Sequence, residues 1–372
     1  MANIKDDKRI VLTLDAGGTN MVFGAMQGEN YVGEPLRLPS NSQDLDLCLE
    51  TMVKGFTAIR DSLKTSGYAD PVAISFSFPG PADYPNGIIG GFLPNFPSFR
   101  DGVALGPFLQ DKFNVPVFIN NDGDLYAFGE ALDGALPEIN ARLKAAGSSK
   151  VYHNLIGYTF GTGFGVGIVI NGELNRGDNS CVETFCLKHP FKEGIMVEEG
   201  VAARAVKRVY GELSGNPNHG LEPKDIGDIC TGVREGNREA AIGAFNELGE
   251  VAGDAMATAA SLIDGLVVIG GGIMNNYKYI MPGILKSMRS TLHTLGGEVV
   301  RRVQPNVYNL DDPDEFATFA AGEARGLKVY GTDKTVIYDP MKRLGVMRSK
   351  IGASKAISLG AYAFALSELD KM

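Results

Sequence analysis

The stretch Arg9-Ile10-Val11-Leu12-Thr13-Leu14-Asp15-Ala16-Gly17-Gly18-Thr19-Asn20-Met21-Val22-Phe23 decides the reading of this chain. Ile10, Val11, Leu12 and Leu14 leave little room for a polar face, which predicts a buried strand ending at Asp15. Ala16 to Asn20 then turn the chain before a second apolar run. Glycine lets backbone approach a ligand closely, and converging N–H groups suit phosphate oxygens. Thr19 and Asn20 add short polar side chains beside that cradle, and Asp15 is placed to hold a hydrated magnesium ion. The same residues also read as an ordinary hairpin turn, since Gly-Gly between strands is common. Two further glycine clusters after strand-like runs favour the ligand reading: Gly161-Thr162-Gly163 and Gly270-Gly271-Gly272.

At 372 residues the chain is long for one core, so two lobes or one large α/β unit are expected. A hydrophobic share of 44% and a charged share of 21% are those of an ordinary soluble protein. The net charge of −9 argues against nucleic acid as the main partner, because backbone binding needs a basic face. Met1 to Arg9 has no apolar signal segment and no run reaches membrane-spanning length, so neither a membrane nor export is expected. Cys48, Cys181, Cys186 and Cys230 are too few and scattered for a disulfide framework. A cytoplasmic location is expected.

Leu45, Leu49, Met52, Phe56, Ile59 and Leu63 recur at helical spacing, and Val72, Ile74, Phe76 and Phe78 at strand spacing. Strand, helix, strand implies α/β layering. Residues 84–99 read as a loop and candidate ligand surface. A helix is expected within 103–113, a strand over 115–119 and a helix starting over 127–132. Residues 136–150 read as a connection. Asn171-Gly172 marks a type I′ hairpin. Residues 237–262 and 356–369 read as helices, 266–269 as a buried strand, and 315–327 as a helix in a segment, 311–334, without a functional reading, a dimer contact and a surface helix both being open.

Three strand-then-glycine turns suit a nucleotide held between two lobes, the first two on phosphates and the third against adenosine. No Gly-x-Gly-x-x-Gly follows the first strand, and no Gly-Lys-Ser or Gly-Lys-Thr occurs, so Rossmann and Walker readings fail.

In this arrangement the sequence resembles the ROK family (repressors, open reading frames and kinases) of sugar kinases, in the actin-like ATPase superfamily. The matching motifs are Leu14 to Asn20, Asn120-Asn121-Asp122-Gly123-Asp124 with Gly129-Glu130-Ala131, Gly161 to Gly167, Ile269 to Ile273, and Leu359 to Ala363. The resemblance implies a two-lobed, ribonuclease H-like α/β fold with nucleotide and sugar in the cleft. The expected N-terminal lobe is 1–122, completed by the helix within 352–372, and the larger lobe is 123–351. It implies Asp122 as catalytic base, with Asn95, Asn121, Glu183 and Glu198 on the sugar. Asp15, Gly17, Gly18, Thr19, Asn20, Gly161, Thr162, Gly163, Gly270, Gly271 and Gly272 would bind ATP, with magnesium held by Asp15 through water. Asp122 also reads as a helix N-cap, Asn95 as a turn residue, and the two glutamates as surface charges.

The departure lies between Asn175 and Glu199. Many members have a glutamate–histidine segment there and a cysteine-rich loop binding structural zinc. Here Cys186 stands where the histidine should be, and Cys181, Cys186 and His189 lack a clear fourth ligand, so no structural zinc is expected. The resemblance implies an ATP-dependent hexose kinase acting on the 6-hydroxyl of a glucose-like sugar, with a homodimer expected. An N-acetylhexosamine or fructose kinase and a non-catalytic sugar sensor are the alternatives. Repression is disfavoured, because the first strand begins by Arg9 and leaves no room for a helix-turn-helix ahead of it.

Overall fold

A computed structural model describes residues 4–218 and 220–372. The chain divides into two compact units: residues 1–133, 174–182 and 353–372, and residues 134–173 and 183–352.

The sheet of the first unit has the order β3-β2-β1-β5-β8, with β4 on β2. Its strands are β1 (Val11–Ala16), β2 (Asn20–Gln27), β3 (Asn30–Tyr31), β4 (Leu36–Pro39), β5 (Ala73–Ser77) and β8 (Val117–Asn120), and β6 (Ala82–Asp83) pairs β7 (Ile88–Ile89) apart from it. Helix α1 (Leu45–Thr65) starts where Asp44 accepts from the Leu47 N–H, and buries Cys48, Met52, Phe56, Ile59 and Leu63. Phe56 packs edge-on to Phe23 and Phe113. Helices α2 (Leu105–Phe113), α3 (Asp122–Leu132) and α11 (Ala353–Leu369) complete the unit.

The second unit repeats the plan, with the sheet order β11-β10-β9-β12-β18-β15. Here β9 (Leu155–Phe160) and β10 (Phe164–Ile170) form a hairpin and β11 (Glu173–Leu174) follows; β12 (Leu266–Gly270), β18 (Arg343–Arg348) and β15 (Asn306–Asn309) run parallel to β9. Asn171 and Gly172 both take positive φ at the expected hairpin turn. The helices are α4 (Ala135–Ala145), α5 (Glu198–Val201), α6 (Ala203–Ser214), α7 (Pro223–Thr231), α8 (Arg238–Ile263), α9 (Tyr277–Met288) and α10 (Pro313–Ala321). Two hairpins, β13 (Thr291–His293) with β14 (Val299–Arg301) and β16 (Arg325–Lys328) with β17 (Thr335–Tyr338), stand apart from the main sheet.

Two expectations are corrected. Residues 136–150 are not merely a connection, because α4 buries Leu136, Ile139 and Leu143. Pro137 lies in its first turn, where a missing N–H costs nothing. The helix expected over 315–327 ends at Ala321, where Gly322 takes a φ of +60°, and the chain continues as strand β16.

Helix α11 is laid on α3 through glycine. A Cβ at Gly360 would stand 1.9 Å from the Leu125 carbonyl oxygen, and one at Gly129 would stand 2.0 Å from the Ala356 carbonyl oxygen. Only bare backbone permits this approach. Gly360→Ala should force the helices apart and cost at least about 1–3 kcal/mol, the usual penalty of overpacking. Urea unfolding measures it, and an unchanged midpoint would refute the backbone contact.

Candidate functional site

In unit one, β1, β5 and β8 run parallel, with Asp15 paired to Ser77 and Ser77 to Asn120. Their carboxyl ends therefore form a row, the place where open α/β sheets bind ligands. A cavity of about 660 Å³ adjoins it, lined in part by Asp15, Gly17, Gly18, Asn95, Asn121 and Asp122.

The first glycine cluster is a hairpin turn between β1 and β2, closed by the Gly17 N–H donating to the Asn20 carbonyl at 3.0 Å. The turn is thus the hairpin that the strand-turn-strand pattern offers. A Cβ at Gly18 would stand 3.0 Å from Cβ of Asn95, so the turn and the Asn95 loop are in contact. Thr19 and Asn20 lie beyond this wall; the Thr19 carbonyl accepts from the Ser40 N–H, and Asn20 opens β2. The Gly18 carbonyl accepts from two buried hydroxyls, Ser40 Oγ and Ser42 Oγ. Asn41 between them takes a φ of +52°, which turns both serines to one oxygen. Ser98 Oγ donates to the Ser42 carbonyl at 2.8 Å, tying in the neighbouring loop.

Where β8 ends, α3 begins. Asn121 is the N-cap, its side-chain oxygen accepting the Gly123 N–H at 2.7 Å, and Asp122 is the first helical residue. The cap role weighed for Asp122 therefore falls to Asn121, whose NH₂ group is left for other partners. Asp122 keeps solvent contact within the cavity wall. Desolvation by that wall raises its pKa above the usual carboxylate range; the Gly123 N–H opposes this, and the charge of Asp15 adds to it. Asp124, one turn in, is buried, which pushes its pKa up to about 7 against the attraction of Arg176. Arg176 itself donates to Asn120 Oδ1 at 3.0 Å and lies over the Phe364 ring.

In unit two, Thr159 pairs with Gly270, so the second and third glycine clusters lie beyond neighbouring parallel strand ends. Gly271 has a φ of +96°, and a Cβ there would stand 2.3 Å from the Phe160 carbonyl oxygen. A Cβ at Gly161 or Gly272 would meet nothing within 4 Å, leaving bare, accessible backbone. Glu198 opens α5 beside this turn: Oε2 accepts the Phe164 N–H at 3.1 Å, and Oε1 accepts from Arg204 at 2.8 Å. Arg204 also donates to Glu199 and to the Thr162 carbonyl. Glu183 lies half-buried in the loop leading to α5.

That loop folds back on itself. The Leu187 carbonyl accepts from Val197 N–H at 2.7 Å, and His189 N–H donates to the Ile195 carbonyl at 2.8 Å. Nδ1 of buried His189 accepts the Phe191 N–H, while a Cβ at Gly200 would stand 2.6 Å from Nε2. Cys181 and Cys186 are exposed free thiols. Among the described residues, no group of three His, Cys, Asp or Glu side chains is disposed to hold a metal.

Sequence reading missed Ser40, Ser42, Asp124, Arg176 and Arg204. Only the first turn of α3, quoted as a motif, carried a signal for Asp124.

The two serines make a test of shared satisfaction. Ser40→Ala or Ser42→Ala alone leaves the Gly18 carbonyl one donor and should cost about 1 kcal/mol; the double variant leaves it none and should cost more than the sum. Thermal unfolding of the four proteins measures the coupling, and strict additivity would show that the hydroxyls do not share a role. Asp124 makes a test of linkage. Its folded pKa lies above the unfolded value, so the folded state binds the extra proton between pH 4 and 7, and stability falls as pH rises through that window. The loss is complete above pH 7 and is at most about 4 kcal/mol. Asp124→Asn should flatten this profile and be the more stable protein at neutral pH. Equal slopes for both would mean that Asp124 is charged throughout.

A family model described as the ROK family matches residues 11–309. The crystal structure of a glucokinase from Parabacteroides distasonis is 55% identical, with 99% of each chain covered and a TM-score of 0.90. The ROK hexokinase of Thermus thermophilus, 18% identical, shares the fold with a TM-score of 0.63 over 96% of this chain and 99% of that one. The xylose repressor of Bacillus spizizenii is 37% identical over 106 residues, 28% of this chain, and the match spans only 23% of the repressor's length. By family model and by topology, this chain belongs to the ROK family and has the actin-like ATPase fold.

Proposed function

We propose that the chain is an ATP-dependent hexose kinase that moves the γ-phosphoryl group to the 6-hydroxyl of a glucose-like sugar. The observation that carries the reading is the Asp122 carboxyl in the unit-one cavity, its pKa raised, with Asp15, Asn95 and Asn121 in the same wall. A carboxylate that holds its proton more firmly than usual is a better acceptor for an alcohol proton. The glucokinase of P. distasonis, 55% identical over nearly the whole chain, supports the same chemistry.

Asp122 would take the proton as the hydroxyl attacks; its place at the start of α3 puts the carboxylate at the positive end of the helix. Asn95 and the free NH₂ of Asn121 would orient the sugar. Bare backbone at Gly161 and Gly272 would admit the nucleotide in unit two. The hard carboxylate oxygens of Asp15 suit a hydrated magnesium ion held through water, which would neutralise phosphate charge. Most of the remaining rate comes from positioning.

Asp122→Asn should keep the fold and lower turnover by about a hundred- to ten-thousandfold. ADP release, coupled to a dehydrogenase and run over glucose, mannose, fructose and N-acetylglucosamine, measures both rate and preference. Wild-type kcat/KM should fall on acidification through a pKa above the ordinary carboxylate range. More than about a tenth of wild-type turnover in the variant would remove Asp122 as base. Glucose binding without ADP release would favour a sugar sensor, and a strong preference for another sugar would redirect the substrate.

A further inference from the structure

The cavity beside Asp122 extends past the residues that the chemistry uses. Strand β1 turns Leu12 and Leu14 to the core packed by α1, and Thr13 and Asp15 to the opposite face of the sheet. Register sets that second face in rows. Val22 and Ser77 flank Asp15 at the strand ends. Two residues back along each strand, Gly24, Thr13 and Ser75 make the next row. These are small residues, whereas the core face of the same strands carries Leu12, Leu14, Phe23, Ile74 and Phe76.

Opposite the small row, α11 lines the same cavity with Ser354, Ile357, Ser358 and Ala361, one helical face at steps of three and four. Tyr31 stands at the far end, its hydroxyl donating to Ser358 Oγ at 2.7 Å. Tyr31 pairs with Met26, and Met26 with Val11. The space therefore runs from the level of Asp15 to that of Val11, about 13 Å along β1. The whole cavity, about 660 Å³, has the size of pockets that take drug-sized ligands.

Two observations mark a built compartment. Ser75 is fully buried and its Oγ has no hydrogen-bond partner. Such groups are rare in folded proteins, and a serine hydroxyl can both donate and accept. Helix α11 is also held at its height, because it meets α3 backbone to backbone at Gly360 and Gly129. It cannot sink onto the small row to fill the space.

The lining names the class of ligand. Among the described residues of the cavity wall, Asp15 and Asp122 carry the charge, both at the strand-end row, and none is Lys, Arg or His. A phosphate or carboxylate would find no counter-charge there, and a cation would lose its water in an uncharged space. An uncharged molecule suits it: Val22, Val32, Ile357 and Ala361 offer apolar contact to a ring, and Thr13 and Ser75 offer hydroxyls to one polar group.

We propose that this compartment binds a small uncharged molecule, an apolar ring bearing an amide or hydroxyl group, as an effector lying behind the Asp15 row. Binding there needs neither nucleotide nor sugar, so it goes beyond the kinase reading.

Benzamide, benzoate and benzamidine share a shape and differ in charge, and serve as probes of the full chain with labelled isoleucine methyl groups. Ile357 is the reporter, its signal assigned by loss in Ile357→Val. Benzamide should shift it with a dissociation constant of about 0.1–1 mM, the reach of a fragment of this size. The two ions should bind at least about tenfold more weakly. The shift should persist with excess glucose and a non-hydrolysable ATP analogue present. Ser75→Ala separates the site from the scaffold. Its hydroxyl has no partner to lose, so thermal unfolding without probe should be no earlier, while benzamide binding weakens about three- to tenfold. A Cβ at Gly24 meets Thr13 Oγ1 at an ordinary 3.4 Å, so Gly24→Ala should fold and also weaken benzamide by taking up space. No shift at about 10 mM benzamide would leave the compartment to water and overturn the proposal. Tighter binding of either ion, displacement by glucose, or an affinity untouched by Ser75→Ala would overturn it as well. None of these readouts uses turnover, so their failure leaves the kinase reading standing, and loss of that reading leaves them intact.

Discussion

Unit one depends on a single register. Parallel pairing sets Asp15, Ser77 and Asn120 in one row, and a slip of one residue in β1 would turn Asp15 towards the core and bring Leu14 out. The row also times the next element, because β8 stops at Asn120 and Asn121 is then free to cap α3. Asp122 owes its position to that cap, and the first glycine turn owes its shape to the same sheet. The hydroxyls of Ser40 and Ser42 hold the turn from behind through the Gly18 carbonyl, which fixes the N–H groups on its open side.

Two opposing forces meet at the start of α3. The helix end favours negative charge on Asp122 and Asp124, whereas desolvation disfavours it, and for Asp124 desolvation prevails despite Arg176. A buried carboxyl that destabilises the folded state at neutral pH is what a site under functional constraint tolerates. Arg176 belongs to the short segment 174–182, which the chain contributes to unit one from a distant part of the sequence. Its contacts with Asn120 and Phe364 join that segment to β8 and α11.

What was legible in the sequence follows from what is local. The glycine clusters stand out as local patterns; at Gly271 backbone geometry admits nothing else, with both a positive φ and the Phe160 carbonyl against it, whereas Gly161 and Gly272 have open space around them. Apolar spacing marked α1, β5 and α8 for the same reason. Ser40 and Ser42 carried no signal, since a serine that meets a carbonyl 22 or 24 residues away looks like any loop serine. Arg204 was equally silent: it reaches back to Glu198 and Glu199 only because the helix is interrupted at Ala202, between α5 and α6. The residues of α4 read as a connection, and only the structure shows Leu136, Ile139 and Leu143 buried. In 311–334 Leu327 of β16 falls at helical spacing after Phe316 and Phe319, and only the pairing with β17 decides otherwise.

The two units also show how one plan can be given opposite electrostatics. Each sheet has a hairpin whose turn carries glycine, followed by parallel strands on the far side of its first strand. In unit one the first strand offers Asp15 opposite Ser77, and the strand end that follows leads to Asp122. In unit two the corresponding pair is Thr159 and Gly270, without charge, and Lys350 follows β18. Acid at one set of strand ends suits hydroxyls to be deprotonated and cations to be held. The paired row of the other carries glycine backbone and no carboxylate, and Glu198 stands beside the second glycine turn. The repeat is invisible as a sequence period because the loops differ in length. It survives in the order of strands, and the divergence lies in the few residues just past their ends.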